Sequence, residues 1–189
     1  RSTPIKSSAA SDVYKRQRSK TPELPSRELS HYGIFPSIWG VFRDANPEAE
    51  IGFFCQWGGL EYLAEMKAMS KEMHVKAEDD PSGKADKAVA TQSCIYIKEK
   101  KPAFVGIFFD EPDHTGHKSG HDTEAYYQKL EELDGYIAEI VNAVKEAGMW
   151  DETIFIVTAD HGGINKGHGG KTMQEMQTPF IIAGKGIKK

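Results

Sequence analysis

The run Ala103-Phe104-Val105-Gly106-Ile107-Phe108-Phe109 contains no polar residue, and Asp110-Glu111-Pro112-Asp113 follows it without a break. A strand that faced water on one side would alternate apolar and polar positions. One that does not alternate needs cover on both faces, as in the middle of a parallel sheet. Thr153-Ile154-Phe155-Ile156-Val157-Thr158 has the same character, and Pro179-Phe180-Ile181-Ile182-Ala183 supplies a third run before Gly184. A further apolar, aromatic run, Ile51–Trp57, ends at Gly58-Gly59 and reads as a strand.

Helical patterns separate these runs. From Thr123 to Ala147, Tyr126, Leu130, Leu133, Ile137, Ile140, Val141 and Val144 form one stripe, closed by Gly148. Ala85–Lys100 carries Ala88, Cys94 and Ile95 and a basic end that suits a helix C-terminus, and Pro102 stops it. Pro36–Arg43 reads as a short helix ended by Asn46-Pro47, Leu60–Met69 is helix-compatible, and Asp79–Gly83 is a polar turn. Strands separated by helices predict an α/β domain with a largely parallel central sheet flanked by helices. Ligands of such sheets gather outside the carboxyl ends of the strands. Asp113 and the pair Asp160-His161 both fall there.

At 189 residues there is room for one domain with a core. Its 24 Lys+Arg against 28 Asp+Glu give a net charge of -4, which argues against a nucleic-acid polymer as partner. A small anionic substrate stays compatible, because a bound cation inverts the local charge. No run is long and apolar enough to suggest a membrane segment. Cys55 and Cys94 lack metal spacing and read as buried free thiols.

The first seventeen residues are polar, Ser-rich and basic. Asp12-Val13-Tyr14-Lys15-Arg16-Gln17 corresponds to the in-frame reading of GAT GTG TAT AAG AGA CAG, a transposon end used in sequencing libraries. Residues 1–17 are therefore expected to be an adapter-derived or disordered leader, and 18–189 the folded portion.

Asp113 and His117 are four residues apart and share a face if the segment makes a helical turn. Asp160 and His161 are adjacent, so they clasp an ion only from an irregular turn, which Gly162-Gly163 permits. His168 lies between Gly167 and Gly169. Carboxylate and neutral imidazole are the ligands zinc and manganese accept where thiolates are absent. Asp113, His117, Asp160, His161 and His168 are the candidate metal ligands. His114 and His121 read as solvated or cleft-lining, and Asp110 and Glu111 as loop groups that orient a ligating histidine. Asp134 reads as partly exposed, and His31, His74 and the tryptophans as structural.

Glu-Pro-Asp-x-x-Gly-His after one apolar strand, Asp-His-Gly after the next, then Gly-His-Gly, resembles the alkaline phosphatase superfamily. Its nearest branch is the type I phosphodiesterase/nucleotide pyrophosphatase family, and the resemblance runs from about Ile34 to Lys189. It implies a partial three-layer alkaline-phosphatase-like fold, with one zinc on Asp113, His117 and His168 and a second held in part by Asp160 and His161. Manganese is the alternative metal. The implied chemistry is two-metal phosphoryl transfer from a small phosphate ester through a covalent phospho-enzyme. Family members add an upstream aspartate and a Thr or Ser nucleophile, neither of which is recognisable here. The chain therefore reads as a truncated portion, inactive alone, of an exported or periplasmic parent. The rival readings are a manganese enzyme resembling cofactor-independent phosphoglycerate mutase, a sulfatase-like protein with one calcium, and a non-catalytic metal-binding fragment. Gly162-Gly163-Ile164-Asn165 and Gly167-His168-Gly169-Gly170 sit closest to the phosphodiesterase pattern.

Overall fold

The structure, a computed structural model, describes residues 30–32, 36–75 and 85–188. The expected leader 1–17 and the polar turn Asp79–Gly83 lie outside these residues. The elements in order are α1 (Ile38–Ala45), β1 (Ile51–Cys55), two 3-10 turns (Gly58–Tyr62 and Met66–Ala68), β2 (Lys71–His74) and α2 (Ala85–Lys100). Then come β3 (Phe104–Ile107), α3 (Asp113–Ser119), α4 (Glu124–Glu146), a 3-10 turn (Trp150–Glu152), β4 (Ile154–Thr158), α5 (Met173–Met176) and β5 (Phe180–Gly184).

β1 is the middle strand of a parallel sheet of order β2-β1-β3, with Gly52 opposite Lys71 on one side and Val105 on the other. All of β1 is buried, and its side chains divide by parity between two cores. Ile51, Phe53 and Cys55 join Trp39 of α1, whose ring stacks on Phe104 at 4.2 Å and meets Phe53 edge-on at 5.5 Å. Phe54 points the other way, to Val89 and Tyr96 of α2. Leu133, Tyr136, Ile140 and Val144 of α4 pack beside α2 against Ala90 and Ile97. Helix, sheet and helices thus form the expected three-layer α/β arrangement, each fully buried large side chain contributing roughly 1.5–3 kcal/mol.

α4 runs as its stripe predicts. The Thr123 hydroxyl accepts the Tyr126 N–H at its start, and Gly148 takes φ +71° just past its end. The buried face is rotated slightly from the predicted stripe. Tyr136 and Ala143 are inside, whereas Leu130 is exposed. Asp134 is exposed.

Three points of the sequence reading are corrected or filled in. Leu60–Met69 makes two 3-10 turns rather than a helix, because Glu65 is drawn across to the start of α1. Its Oε2 accepts the N–H and hydroxyl of Ser37 (2.9 and 2.7 Å) and the N–H of Gly40 (2.8 Å). Burial alone would raise this carboxyl's pKa, but the hydrogen bonds from Ser30, Ser37 and Gly40 outweigh it and hold it below the usual value. Secondly, β2 carries Lys71 and Glu72 exposed and has no apolar run to announce it, as suits an edge strand.

The third correction concerns β4 and β5, which pair antiparallel with Ile156 opposite Ile182 and share no ladder with the parallel sheet. β4 is not covered on both faces. Phe155 and Val157 are half-buried, while Ile154 and Ile156 are exposed, as is Phe180 on β5. An apolar run records the absence of polar positions; it does not specify which strand lies alongside.

Cys55 is buried, Cys94 is half-buried, and both are free. Burial pushes the Cys55 thiol up to about 12, which keeps it an inert core group. Among the described residues no helix is long and apolar enough to cross a membrane.

Candidate metal centre

The chain leaving β3 is fixed before it reaches Asp113. Asp86 of α2 is 5% exposed, and its two carboxylate oxygens accept the N–H groups of Asp110 and Glu111, each at 3.0 Å. The Glu111 carboxylate accepts the Thr115 N–H (2.9 Å) in the first turn of α3. Glu111 therefore holds the helix that carries the candidate ligands, consistent with an orienting role. α3 then puts Asp113 and His117 on one face, with His117 Nε2 at 3.2 Å from Asp113 Oδ2.

Other side chains converge on Asp113 from separate loops. His121 Nε2 is 3.4 Å and His168 Nε2 3.7 Å from its Oδ1. The His161 ring stacks on His168, with centroids 3.7 Å apart and planes 15° from parallel. Asp113, His161 and His168 each present a ligand atom within 4.8 Å of the others. His117 borders this group, its ring centroid 5.0 Å from that of His168. Asp160 stands at the margin, two-thirds exposed, with Oδ2 3.6 Å from His161 Nε2. The sequence reading gave His161 and Asp160 to a second ion beside the one on Asp113, His117 and His168; the geometry brings His161 against Asp113 and His168 and leaves Asp160 at the edge. Although β3 and β4 lie in different sheets, their following loops meet.

The imidazoles are oriented in a common way. Nδ1 of His117 lies 3.0 Å from the Lys166 carbonyl, Nδ1 of His121 3.0 Å from that of Asn165, and Nδ1 of His161 2.9 Å from that of Gly162. A carbonyl oxygen only accepts, so each Nδ1 carries the hydrogen, and in the neutral ring the Nε2 lone pair faces the carboxylates. Lone pairs and carboxylates gathered this closely repel one another unless a proton or a cation lies among them. That donor set, with its backbone orientation, fits a divalent metal. Burial, and then the neighbouring His161, hold His168 below the ordinary histidine value, which favours its neutral, ligating form.

His121 was not among the ligands expected from sequence. Far from solvated, its side chain is 7% exposed and fills a slot between two glycines. A Cβ on Gly116 would come within 2.6 Å of its ring, and one on Gly163 within 2.1 Å. The available signal was Gly116 itself, since glycine inside a helix costs about 1 kcal/mol against alanine and calls for a packing reason.

His114 faces elsewhere. With Gln56, Asp86, Asp110, Lys129 and Tyr136 it lines a separate polar cavity of about 260 Å³. Burial there, reinforced by the Asp86 charge, pushes the Asp110 carboxyl up to about 6. His31 and His74 pair with Asp44 and Glu61, away from Asp113.

The sequence pattern of the type I phosphodiesterase / nucleotide pyrophosphatase family matches residues 11–170. The chain belongs to this family. Bis(5'-adenosyl)-triphosphatase ENPP4 of Bos taurus is 42% identical over 60 residues, covering 31% of the chain and 13% of that protein. Ectonucleotide pyrophosphatase/phosphodiesterase family member 7 of Mus musculus is 27% identical over 114 residues, covering 58% and 25%. The chain thus spans a minor part of the length of these relatives. Among solved structures, an inactive form of murine ectonucleotide pyrophosphatase / phosphodiesterase 5 in complex with AMP superposes with a TM-score of 0.51 at 21% identity, covering 68% of the chain and 32% of that protein. A 2-O GAG sulfatase superposes with a TM-score of 0.61 at 15% identity, covering 94% and 51%. These likenesses show the shared fold.

Proposed function

We propose that this chain is the metal-binding portion of a phosphodiesterase or nucleotide pyrophosphatase that cleaves small phosphate esters with two zinc ions. The observation that carries the reading is the convergence of Asp113, His161 and His168 within 4.8 Å, bordered by His117, with Nδ1 of His117 and of His161 turned outward to backbone carbonyls. In the reading, Asp113, His117 and His168 hold one ion, and Asp160 and His161 contribute to the second; manganese is the alternative metal. Bound ions of this kind polarise phosphoryl oxygens and lower the pKa of water. The chain's own contribution is orientation: the carbonyls of Lys166 and Gly162 keep the two rings facing inward.

The names of the relatives favour a nucleotide-type phosphate ester as substrate. The single-calcium, sulfatase-like alternative suits the donors less well, because calcium takes oxygen ligands and this cluster offers mainly imidazole nitrogen. The groups assigned to the ions are carboxylates and imidazoles, and no described residue is assigned as the attacking hydroxyl of phosphoryl transfer. The chain alone is accordingly proposed to bind metal without appreciable turnover.

Elemental analysis of the purified chain, with His117→Ala and His168→Ala, tests the reading. Bound zinc in the parent and its loss from both variants supports it; unchanged zinc content in both variants rejects the ligand assignment. Zinc-dependent release of nitrophenol from bis(nitrophenyl) phosphate, compared with a version extended upstream, tests the nucleophile. Comparable turnover by the two forms would place the nucleophile within this chain.

A further inference from the structure

Glu175 lies outside the ligand set, on the single turn of α5, and it is only 8% exposed. Its carboxylate accepts the N–H of Gly170 through Oε1 at 2.8 Å, and the N–H and hydroxyl of Thr172 through Oε2 at 3.2 and 2.7 Å. Its main-chain carbonyl accepts the N–H of Gly162 at 3.0 Å. Gly162 immediately follows His161, and Gly170 comes two residues after His168. One residue therefore grips both histidine loops, the first through its backbone and the second through its side chain.

Steric detail shows how closely the loops are drawn in. A Cβ on Gly170 would lie 2.4 Å from Glu175 Oε2, and one on Gly162 would lie 2.0 Å from the carbonyl oxygen of Gln174. By contrast, Gly167 and Gly169, which flank His168 directly, have nothing within 4 Å of an added Cβ. In these two loops Gly162 and Gly170 admit the close approach of α5, and Gly163 admits that of His121.

We infer that Glu175 is a positioning residue: it sets the relative register of the His161 and His168 loops and so produces their ring stack. The Thr172 hydroxyl caps α5 by accepting the Glu175 N–H at 3.3 Å, and it also donates to Oε2 at 2.7 Å, whereas the bond to Gly170 is made by Oε1. Removing it weakens the turn and takes one of the two donors from Oε2, but it leaves the Thr172 N–H on Oε2 and the Gly170 N–H on Oε1. The inference deepens the metal-site reading, since a misplaced stack misplaces two proposed ligands, yet the stack itself is a property of the metal-free chain.

The test uses the 189-residue chain and the variants Glu175→Ala, Glu175→Gln and Thr172→Ala. The ring proton shifts of His161 and His168, recorded by NMR without metal, report the stack through mutual ring currents. Zinc titration calorimetry reports its consequence. In Glu175→Ala both sets of ring shifts are expected to move toward unstacked values, and zinc affinity to fall by about 10- to 100-fold. Glu175→Gln keeps an acceptor for Gly170 and is expected to recover most of the stack. Thr172→Ala is expected to lower the melting temperature and to move the ring shifts and the affinity much less than Glu175→Ala, because the Gly170 and Thr172 N–H groups still hold the carboxylate. Retention of the parent ring shifts in Glu175→Ala, or their equal loss in Thr172→Ala, overturns the inference. If the parent chain takes up no zinc, the metal reading fails by itself, and the metal-free ring shifts still decide the role of Glu175.

Discussion

His121 Nε2 lies 3.4 Å from Asp113 Oδ1, and the same ring presents Nδ1 to the Asn165 carbonyl at 3.0 Å. One imidazole therefore joins the helix that carries Asp113 and His117 to the loop that carries His168. His121→Ala removes this tie and empties the slot between Gly116 and Gly163. Zinc affinity by calorimetry should fall by about 10- to 100-fold, and the unfolding free energy in urea by about 1–3 kcal/mol. His114→Ala, one residue from Asp113 but facing the polar cavity, should leave zinc affinity near that of the parent.

Gly162 and Gly167 both lie in loops beside a candidate ligand, and they should respond oppositely to alanine. A methyl at Gly162 would meet backbone oxygen of Gln174 at 2.0 Å, whereas one at Gly167 meets nothing within 4 Å. Gly162→Ala should lower stability by about 1–3 kcal/mol through overpacking, while Gly167→Ala should stay within about 0.5 kcal/mol. Urea midpoints at constant slope check the contrast.

Asp110 gives the metal-free chain an acid-side gain in stability. Its folded value of about 6 lies above the ordinary aspartate value of 3.8, so between those values the folded state holds more protons than the unfolded state. Its penalty is fully present above pH 6 and is relieved as pH falls toward 3.8. Asp110→Asn should be more stable than the parent at neutral pH and should flatten the rise as pH falls from about 6 to 3.8, read from urea midpoints at each pH.

Glu65 acts in the opposite sense. Its folded value lies below the ordinary glutamate value of 4.5, so its contribution is present above that pH and is lost as pH falls through the folded value. Glu65→Gln should lose stability at neutral pH, where the carboxylate accepts from Ser37 and Gly40. It should show a shallower decline below pH 4.5, by the same denaturation measurements.

The local elements were largely legible in the sequence, and their long-range partners were not. The stripe from Tyr126 to Val144, with Thr123 before it and Gly148 after, carries its own start, face and stop. The turn that places Asp113 and His117 together is local too. By contrast, Leu60–Met69 looks helical until Glu65 is seen to bond Ser37 and Gly40, more than twenty residues away. His121 and Glu175 escaped for the same reason, because what they hold lies on loops distant in sequence. The apolar residues of β4 and β5 signalled strands but could not signal antiparallel pairing, since both arrangements ask for the same side chains.

Because β4 and β5 share no ladder with β1, β2 and β3, the two sheets are separate cooperative units as far as backbone hydrogen bonding is concerned. They communicate through Phe155 packed against the α4 cluster, and through His121, whose N–H donates to Asn165 at 2.7 Å. Amide exchange in β4 and β5 should therefore proceed through an opening smaller than the one that releases the β1 amides. An ion held jointly by Asp113 and His168 would merge those two openings, so that the seam between foldons would open only with the rest of the chain.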